Sequence, residues 1–242
     1  DWRKPLKASN EKSILVSGMA MIDNGSALLV VGSTQGSGSN DLDGIMAKLS
    51  SNNGSFASEG DGSRSVAYFS SVSGDDDWIL NVCADPDNDT YVYIVGATAG
   101  QMDESVPKPD YDATVHATIS KINVSTLTIE WTTQFAVRHA SGTTTIGAAS
   151  VALGCAAISG RDRIYIAGNV ENGAILEGST ESAGGDDIFV AMLEKGTGEK
   201  IWTKQVGSNG NDRIARGGGI VADANGNARS EEHTSELQSR QY

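Results

Sequence analysis

The sequence predicts an all-β chain, on three observations. Clusters of Asp, Asn and Gly alternate with short runs of β-branched and aromatic residues, the chemistry of tight turns between strands. Similar segments recur along the chain, with Gly32, Gly96 and Gly168 spaced by 64 and 72 residues. No stretch carries capped helical periodicity, so helix is expected to be scarce.

Each repeat opens with strand, turn and strand. Met19 to Gly25 leads into Leu28–Gly32, Cys83 to Asp89 into Tyr91–Gly96, and Cys155 to Asp162 into Ile164–Gly168. A fourth copy starts at Val221 and reaches Asn227. Asp, Asn and Gly tolerate positive φ at the turns, and the closing Gly marks a bend or a close backbone approach. A third strand is expected over residues 43–49, 116–122 and 187–193. A fourth is expected over 65–69, 129–135 and 201–206. Four short antiparallel strands per repeat predict β-propeller blades, about three and a half of them. The approximate blades are 13–71, 75–137, 149–208 and an incomplete 212–228, after an irregular lead-in over 1–12. A long β-sandwich is the competing all-β reading, though it does not need motifs at such regular intervals.

The run from Asp187 to Asn227 carries Asp-x-Phe-Val-Ala-x-Leu, a Trp at 202, Gly207-x-x-x-x-Asp212 and Val-Ala-Asp-x-x-Gly-Asn. It resembles bacterial-type seven-bladed β-propeller repeats. Glu194 through Trp202, with Thr197-Gly198 between them, is similar to the quinoprotein-like propeller repeat. The second copy keeps only part of this pattern, and the first has Tyr68 where Trp stands elsewhere. Both resemblances imply turns and blade packing rather than one activity. The quinoprotein-like one also implies a pyrroloquinoline quinone site with calcium, whose ligands are not identifiable in the sequence.

The ends are read separately. The chain starts at Asp1 without a charged n-region and apolar h-region, which a start inside a longer protein explains. Residues 229–239, RSEEHTSELQS, resemble the in-frame translation of a sequencing-adapter oligonucleotide, so 229–242 is set aside as a non-native tail. A propeller closes a ring, so further blades of the same chain are the expected partners of this fragment.

Composition excludes several classes. With 18 Lys+Arg against 31 Asp+Glu the net charge is −13, which argues against nucleic acid. No apolar run is long enough to span a membrane. Two Cys exclude a disulfide-rich scaffold.

Connectivity groups the loops. Turns after first and third strands (23–25, 50–54, 85–89, 195–198) are short and share one face. Connections after second and fourth strands (97–111, 138–148, 169–185, 207–217) are long, rich in Gly, Ser and acidic residues, and share the other. That second face is the expected binding face.

Asp75, Asp76 and Asp77 form the densest acidic cluster there and are the candidate metal ligands, with calcium the candidate cation; no cofactor is required. Asp186, Asp187 and Asp212 stand in comparable loops, where accepting backbone hydrogen bonds is the simpler role. Asp85, Asp87 and Asp89 alternate like half a calcium loop, but they occupy the repeat's turn. Cys83 and Cys155 both lie thirteen residues before the repeat Gly, so both are expected as unpaired core thiols on equivalent positions. Equivalent points on neighbouring blades are expected to be too far apart for a disulfide. His116 and His139 lie in no nucleophile–base arrangement, and no G-x-S-x-G, P-loop or H-E-x-x-H is present. Asn24, Asn53, Asn88 and Asn123 each begin an N-x-[ST] sequon on the short-turn face, and about two or three would arise by chance in so Ser/Thr-rich a chain. The expected function is a non-catalytic binding module for a protein or glycan, extracellular or on the cell surface. The alternatives are a quinoprotein-like propeller enzyme and a purely structural repeat.

Overall fold

The computed structural model describes residues 14–35, 41–56, 65–71, 74–102, 113–138, 148–215, 219–223 and 225–230. It is all-β, with several antiparallel sheets and, among the described residues, a single three-residue 3-10 turn at Asp23–Gly25. Three four-stranded meanders follow one another. Unit I is β1 (Ile14–Ile22), β2 (Ala27–Gln35), β3 (Leu42–Ser50) and β4 (Val66–Phe69). Unit II is β5 (Asp77–Ala84), β6 (Tyr91–Thr98), β7 (Ala113–Asn123) and β8 (Thr128–Phe135). A short β9 (Val137–Arg138) precedes unit III, which holds β10 (Ala148–Ala157), β11 (Ile164–Glu171), β13 (Asp187–Leu193) and β14 (Lys200–Val206). β12 (Ile175–Leu176) lies between β11 and β13 and pairs with β9. β15 (Ile220–Ala222) and β16 (Ala228–Ser230) make a separate hairpin. Two parallel pairs, Ala148 with Ala113 and Ala149 with Val115, join units II and III into one eight-stranded sheet.

The strands expected from sequence recur within three residues of their bounds, β2 and β11 running three residues past the closing Gly and β7 starting three earlier, and β13 spans 187–193 as read from the repeat. β16 takes in Arg229 and Ser230, the first two residues of the segment set aside as adapter-like. Residues 231–242 lie outside the described residues.

The closing glycines are explained by their partners. Each first strand bulges at the same place, between Val16 and Gly18, Ile79 and Asn81, and Ala152 and Gly154. The bulge pushes a first-strand carbonyl against the facing glycine. A Cβ on Gly32, Gly96 or Gly168 would overlap the carbonyl oxygen of Leu15, Trp78 or Val151.

Alternate residues of each second strand face opposite neighbours. In β6, Val92 and Ile94 pack with Leu29, Val31, Met46 and Phe69 of unit I, while Tyr93 and Val95 pack with Ile164, Ile166 and Phe189 of unit III. In β11, Ile164 and Ile166 face unit II, whereas Tyr165 and Ala167 join Ile214 and Ile220 beside β15. The period-2 alternation of strands thus builds one apolar layer per junction. Tryptophans on the fourth strands complete these layers. Trp131 stands 6.0 Å from Tyr93, and Trp202 stands 5.9 Å from Tyr165.

The cysteines correct an expectation: Cys83 and Cys155 form a disulfide, with Cα atoms 5.9 Å apart. Equal spacing from the repeat Gly does not make them equivalent. The β5–β6 turn places seven residues (85–91) between the pair Ala84 and Val92. The β10–β11 turn places six (158–163) between Ala157 and Ile164. Cys83 therefore lies opposite Tyr93 and Cys155 opposite Ile166, one rung apart in the repeat. One rung turns a side chain to the other face of the sheet. Cys83 faces unit III, Cys155 faces unit II, and both pack against the same apolar layer.

Candidate functional site

All turns after first and third strands meet at one end of the stack. Lys48 reaches the Val124 carbonyl of unit II at 3.4 Å and pairs with Asp23 at 2.7 Å. Trp131 Nε1 donates to the Lys195 carbonyl at 3.1 Å and Thr133 Oγ1 to the Gly198 carbonyl at 2.7 Å. The Trp131 ring covers Gly198, whose φ of +75° and lack of a Cβ permit the approach.

The centre of this end is a buried cation between two carboxylates. Lys195, 7% exposed, donates to Asp85 Oδ1 at 3.0 Å, to Asp87 Oδ2 at 2.9 Å and to the Ile158 carbonyl at 3.4 Å. Tyr93 OH donates to Asp85 Oδ2 at 2.9 Å. Ser159 Oγ and the Gly160 N–H donate to Asp87. The hydrogen bond from Lys195, then those from Gly160 and Ser159, hold the Asp87 carboxyl down at about 2. Burial works against the Lys195 charge, but its bonds to Asp87 and Asp85 outweigh that and raise its pKa. Lysine thus stands where a calcium reading of Asp85 and Asp87 would put the ion; Asp89 is exposed.

The opposite end carries the long connections. Residues 103–112 and 139–147, with His139, lie outside the described residues. The connections around 172–186 and 207–215 form one polar framework. Asp186, 3% exposed, accepts from the Asn172 N–H at 2.9 Å and from Arg213 Nε at 2.6 Å. Arg213 also reaches Glu171 at 3.6 Å. Asn211 Oδ1 accepts from the Asp186 N–H at 3.2 Å, and the Asp212 N–H donates to the Asp186 carbonyl at 2.7 Å. Asp187 Oδ2 accepts from Ser182, Ala183 and Gln205. Ser208 binds Asp212 through side chain and backbone, which lowers the Asp212 pKa. These aspartates act as internal acceptors that fix the loops.

Asp75, Asp76 and Asp77 stand at the same end. Asp76 Oδ1 accepts from the Leu42 N–H at 2.7 Å, tying unit II to unit I. Asp75 N–H donates to Ser71 Oγ at 3.3 Å. Asp77 is fully buried, and its Oδ2 accepts from the Ser71 N–H. Among the described residues its Oδ1 has no hydrogen-bond partner. Among them, too, no three His, Cys, Asp or Glu side chains converge to hold a metal ion. His116 is buried, with Nδ1 3.0 Å from Gln134 Nε2, a contact inside the fold.

Burial, only partly offset by hydrogen bonds from Thr98 and Ser71, pushes the Asp77 carboxyl up to about 6. A carboxyl raised in the folded state stabilises the fold below its unfolded value near 3.8, and that contribution is lost as pH rises through about 6. At pH 7 the charged form costs about 3 kcal/mol by this linkage. Asp77→Asn is expected to raise stability at pH 7 by about 1 to 2 kcal/mol, the amide needing one partner more than the acid finds. It should also flatten the pH dependence of urea unfolding between pH 4 and 6. A variant as pH-dependent as the parent would refute this.

Sequence reasoning located the acidic cluster and the long-connection end. It missed Lys195, Arg213 and the disulfide. The signal for Lys195 was available as a lone cation in a turn of the face that also carries Asp85 and Asp87. No family model and no curated protein matches this chain.

Proposed function

We propose that this chain is a run of β-propeller blades that serves as a non-catalytic binding module in an oxidising, extracellular setting. The observation that carries the reading is the contrast between the two ends. One is cross-braced by Lys195, Trp131 and Lys48, while the other presents long connections on a fixed Asp186–Arg213–Asn211 framework. Binding loops on a rigid scaffold are the common use of such an arrangement. The disulfide supports an oxidising compartment.

Continuation into a ring is supported by the outer face of unit I. Unit II packs Ile79, Val82 and Ile94 against unit I. By the strand register, Val16, Met19 and Val30 hold the equivalent rungs of unit I. Met19 is 63% exposed there, which fits a further blade as its neighbour. On this reading the β15–β16 hairpin begins a fourth blade, and the adapter-like segment from 229 interrupts it.

The expected ligand is a protein or a glycan, met by exposed residues such as Thr180, Glu181 and Asn209. A printed glycan array probed with the intact chain is expected to retain a glycan that T180A/E181A releases; an empty array moves the ligand to a protein. The second reading, a quinoprotein-like enzyme, is favoured by the Gly198 turn and its Trp131 cover. Thermal melting with calcium and pyrroloquinoline quinone separates the two. The binding-module reading expects an unchanged Tm, and a rise requiring both additions overturns it.

A further inference from the structure

We propose that Asn24, Asn53 and Asn88 are acceptors of N-linked oligosaccharide, so that the braced end of the stack is sugar-coated and the long-connection end is left bare. Each begins an Asn-x-Ser/Thr triplet: Asn24-Gly25-Ser26, Asn53-Gly54-Ser55 and Asn88-Asp89-Thr90. Each side chain is exposed, in a turn after a first or third strand. Asn24 and Asn88 occupy the first turns of units I and II, and Asn53 occupies the second turn of unit I.

The geometry at two of the three acceptor amides, Asn53 and Asn88, is suited to the reaction. Asn53 Oδ1 accepts from the Ser55 N–H at 2.9 Å and from Ser55 Oγ at 2.6 Å. Asn88 Oδ1 accepts from the Thr90 N–H at 3.0 Å. The amide oxygen is thereby held to the hydroxyl-bearing residue two positions on, the residue that the triplet requires. Among the described residues no hydrogen bond engages the Nδ2 of Asn24, Asn53 or Asn88. In the transfer, that nitrogen attacks C1 of an oligosaccharide carried on a lipid pyrophosphate. The C1–N bond forms, the C1–O bond to the pyrophosphate breaks, and the lipid pyrophosphate leaves. The amide gives up one proton to the transferase.

Two further observations point the same way. The Cys83–Cys155 bond belongs to an oxidising compartment, and the secretory lumen in which this transfer occurs is one. The distribution of asparagines is also one-sided. At the long-connection end Asn172, Asn209 and Asn211 are exposed in loops, and none is followed by Ser or Thr two residues on. Asn123 completes a fourth triplet, and its Oδ1 accepts from the Ser125 N–H at 3.0 Å, but it is half-buried and followed by fully buried Val124, so the proposal leaves it out. The inference does not depend on the ring or on the ligand. If it holds, the binding partner has only the long-connection end to approach.

The test is expression of the full chain behind a cleavable secretion signal in cultured animal cells. Peptide mapping is done on secreted and retained protein together, after enzymatic release of N-glycans in heavy-oxygen water. Label is expected at 24, 53 and 88. N24Q, N53Q and N88Q should each remove one glycan from the intact mass while Cys83–Cys155 still forms. T90A, which keeps Asn88 but removes the hydroxyl, should also remove one. A disulfide-bonded chain unlabelled at all three positions overturns the proposal, and so does label confined to Asn123.

Discussion

Replacing both cysteines, as C83A/C155A, is expected to lower the unfolding free energy by about 4 kcal/mol. The bond spans 72 residues of sequence, and a covalent link of that span removes about this much chain entropy from the unfolded state. It is also a cross-link between units II and III rather than within one of them, so it adds to an interface already filled by Tyr93, Ile119, Phe135, Ile166 and Phe189. The measurement is urea unfolding of the parent with and without reductant, beside the variant. Reduction should move the parent midpoint to that of the variant, and the variant should not respond to reductant. If the parent midpoint stays put while free thiols are titrated, the bond does not stabilise the fold.

That bond also marks the boundary of what the sequence conveys. Strand positions were legible because turn chemistry is local: Asp, Asn and Gly announce themselves, and β13 emerges over the seven residues read from the repeat. The closing glycines were legible as close approaches, although the carbonyl each one meets was not. The face on which a side chain lies was harder to read. Counting thirteen residues back from Gly96 and Gly168 passes through turns of different length, and a difference of one residue reverses the face. Two thiols that looked equivalent, and therefore remote, turn out to look at one another. The acidic clusters failed in another way. Asp75 to Asp77 and Asp186 to Asp187 were visible as charge, but burial and hydrogen-bond partners come from loops brought together by the fold. Arg213 reaches Asp186 across 27 residues. Lys195 reaches Asp85 across 110.

Lys195→Met is expected to destabilise the chain by about 2 to 3 kcal/mol. Methionine keeps the volume of the stem, so the loss isolates the charge. Asp85 is 6% exposed and would keep a charge there with only the Tyr93 hydroxyl and the Asp87 N–H as donors. Removing one partner of a buried pair costs more than the pair is worth, because the other charge stays behind. The double variant D85N/K195M should therefore recover a large part of the loss, with the asparagine oxygen still accepting from Tyr93. A double variant as unstable as the sum of its parts would place the effect in packing rather than charge. The pH profile supplies an independent readout. Asp87 is held at about 2, so its contribution is present above an unfolded value near 3.8 and is lost only as pH falls through about 2. The Lys195 pKa is raised, so its contribution is full below the ordinary lysine value and is lost as pH rises through the elevated one. The braced end should thus hold its full strength across the neutral range. In K195M the carboxyl resonance of Asp87 should titrate at higher pH than in the parent, though still below an ordinary aspartate, because the Gly160 and Ser159 donors remain. An unmoved Asp87 titration would mean that those donors alone set it and that Lys195 is not the clasp between units II and III.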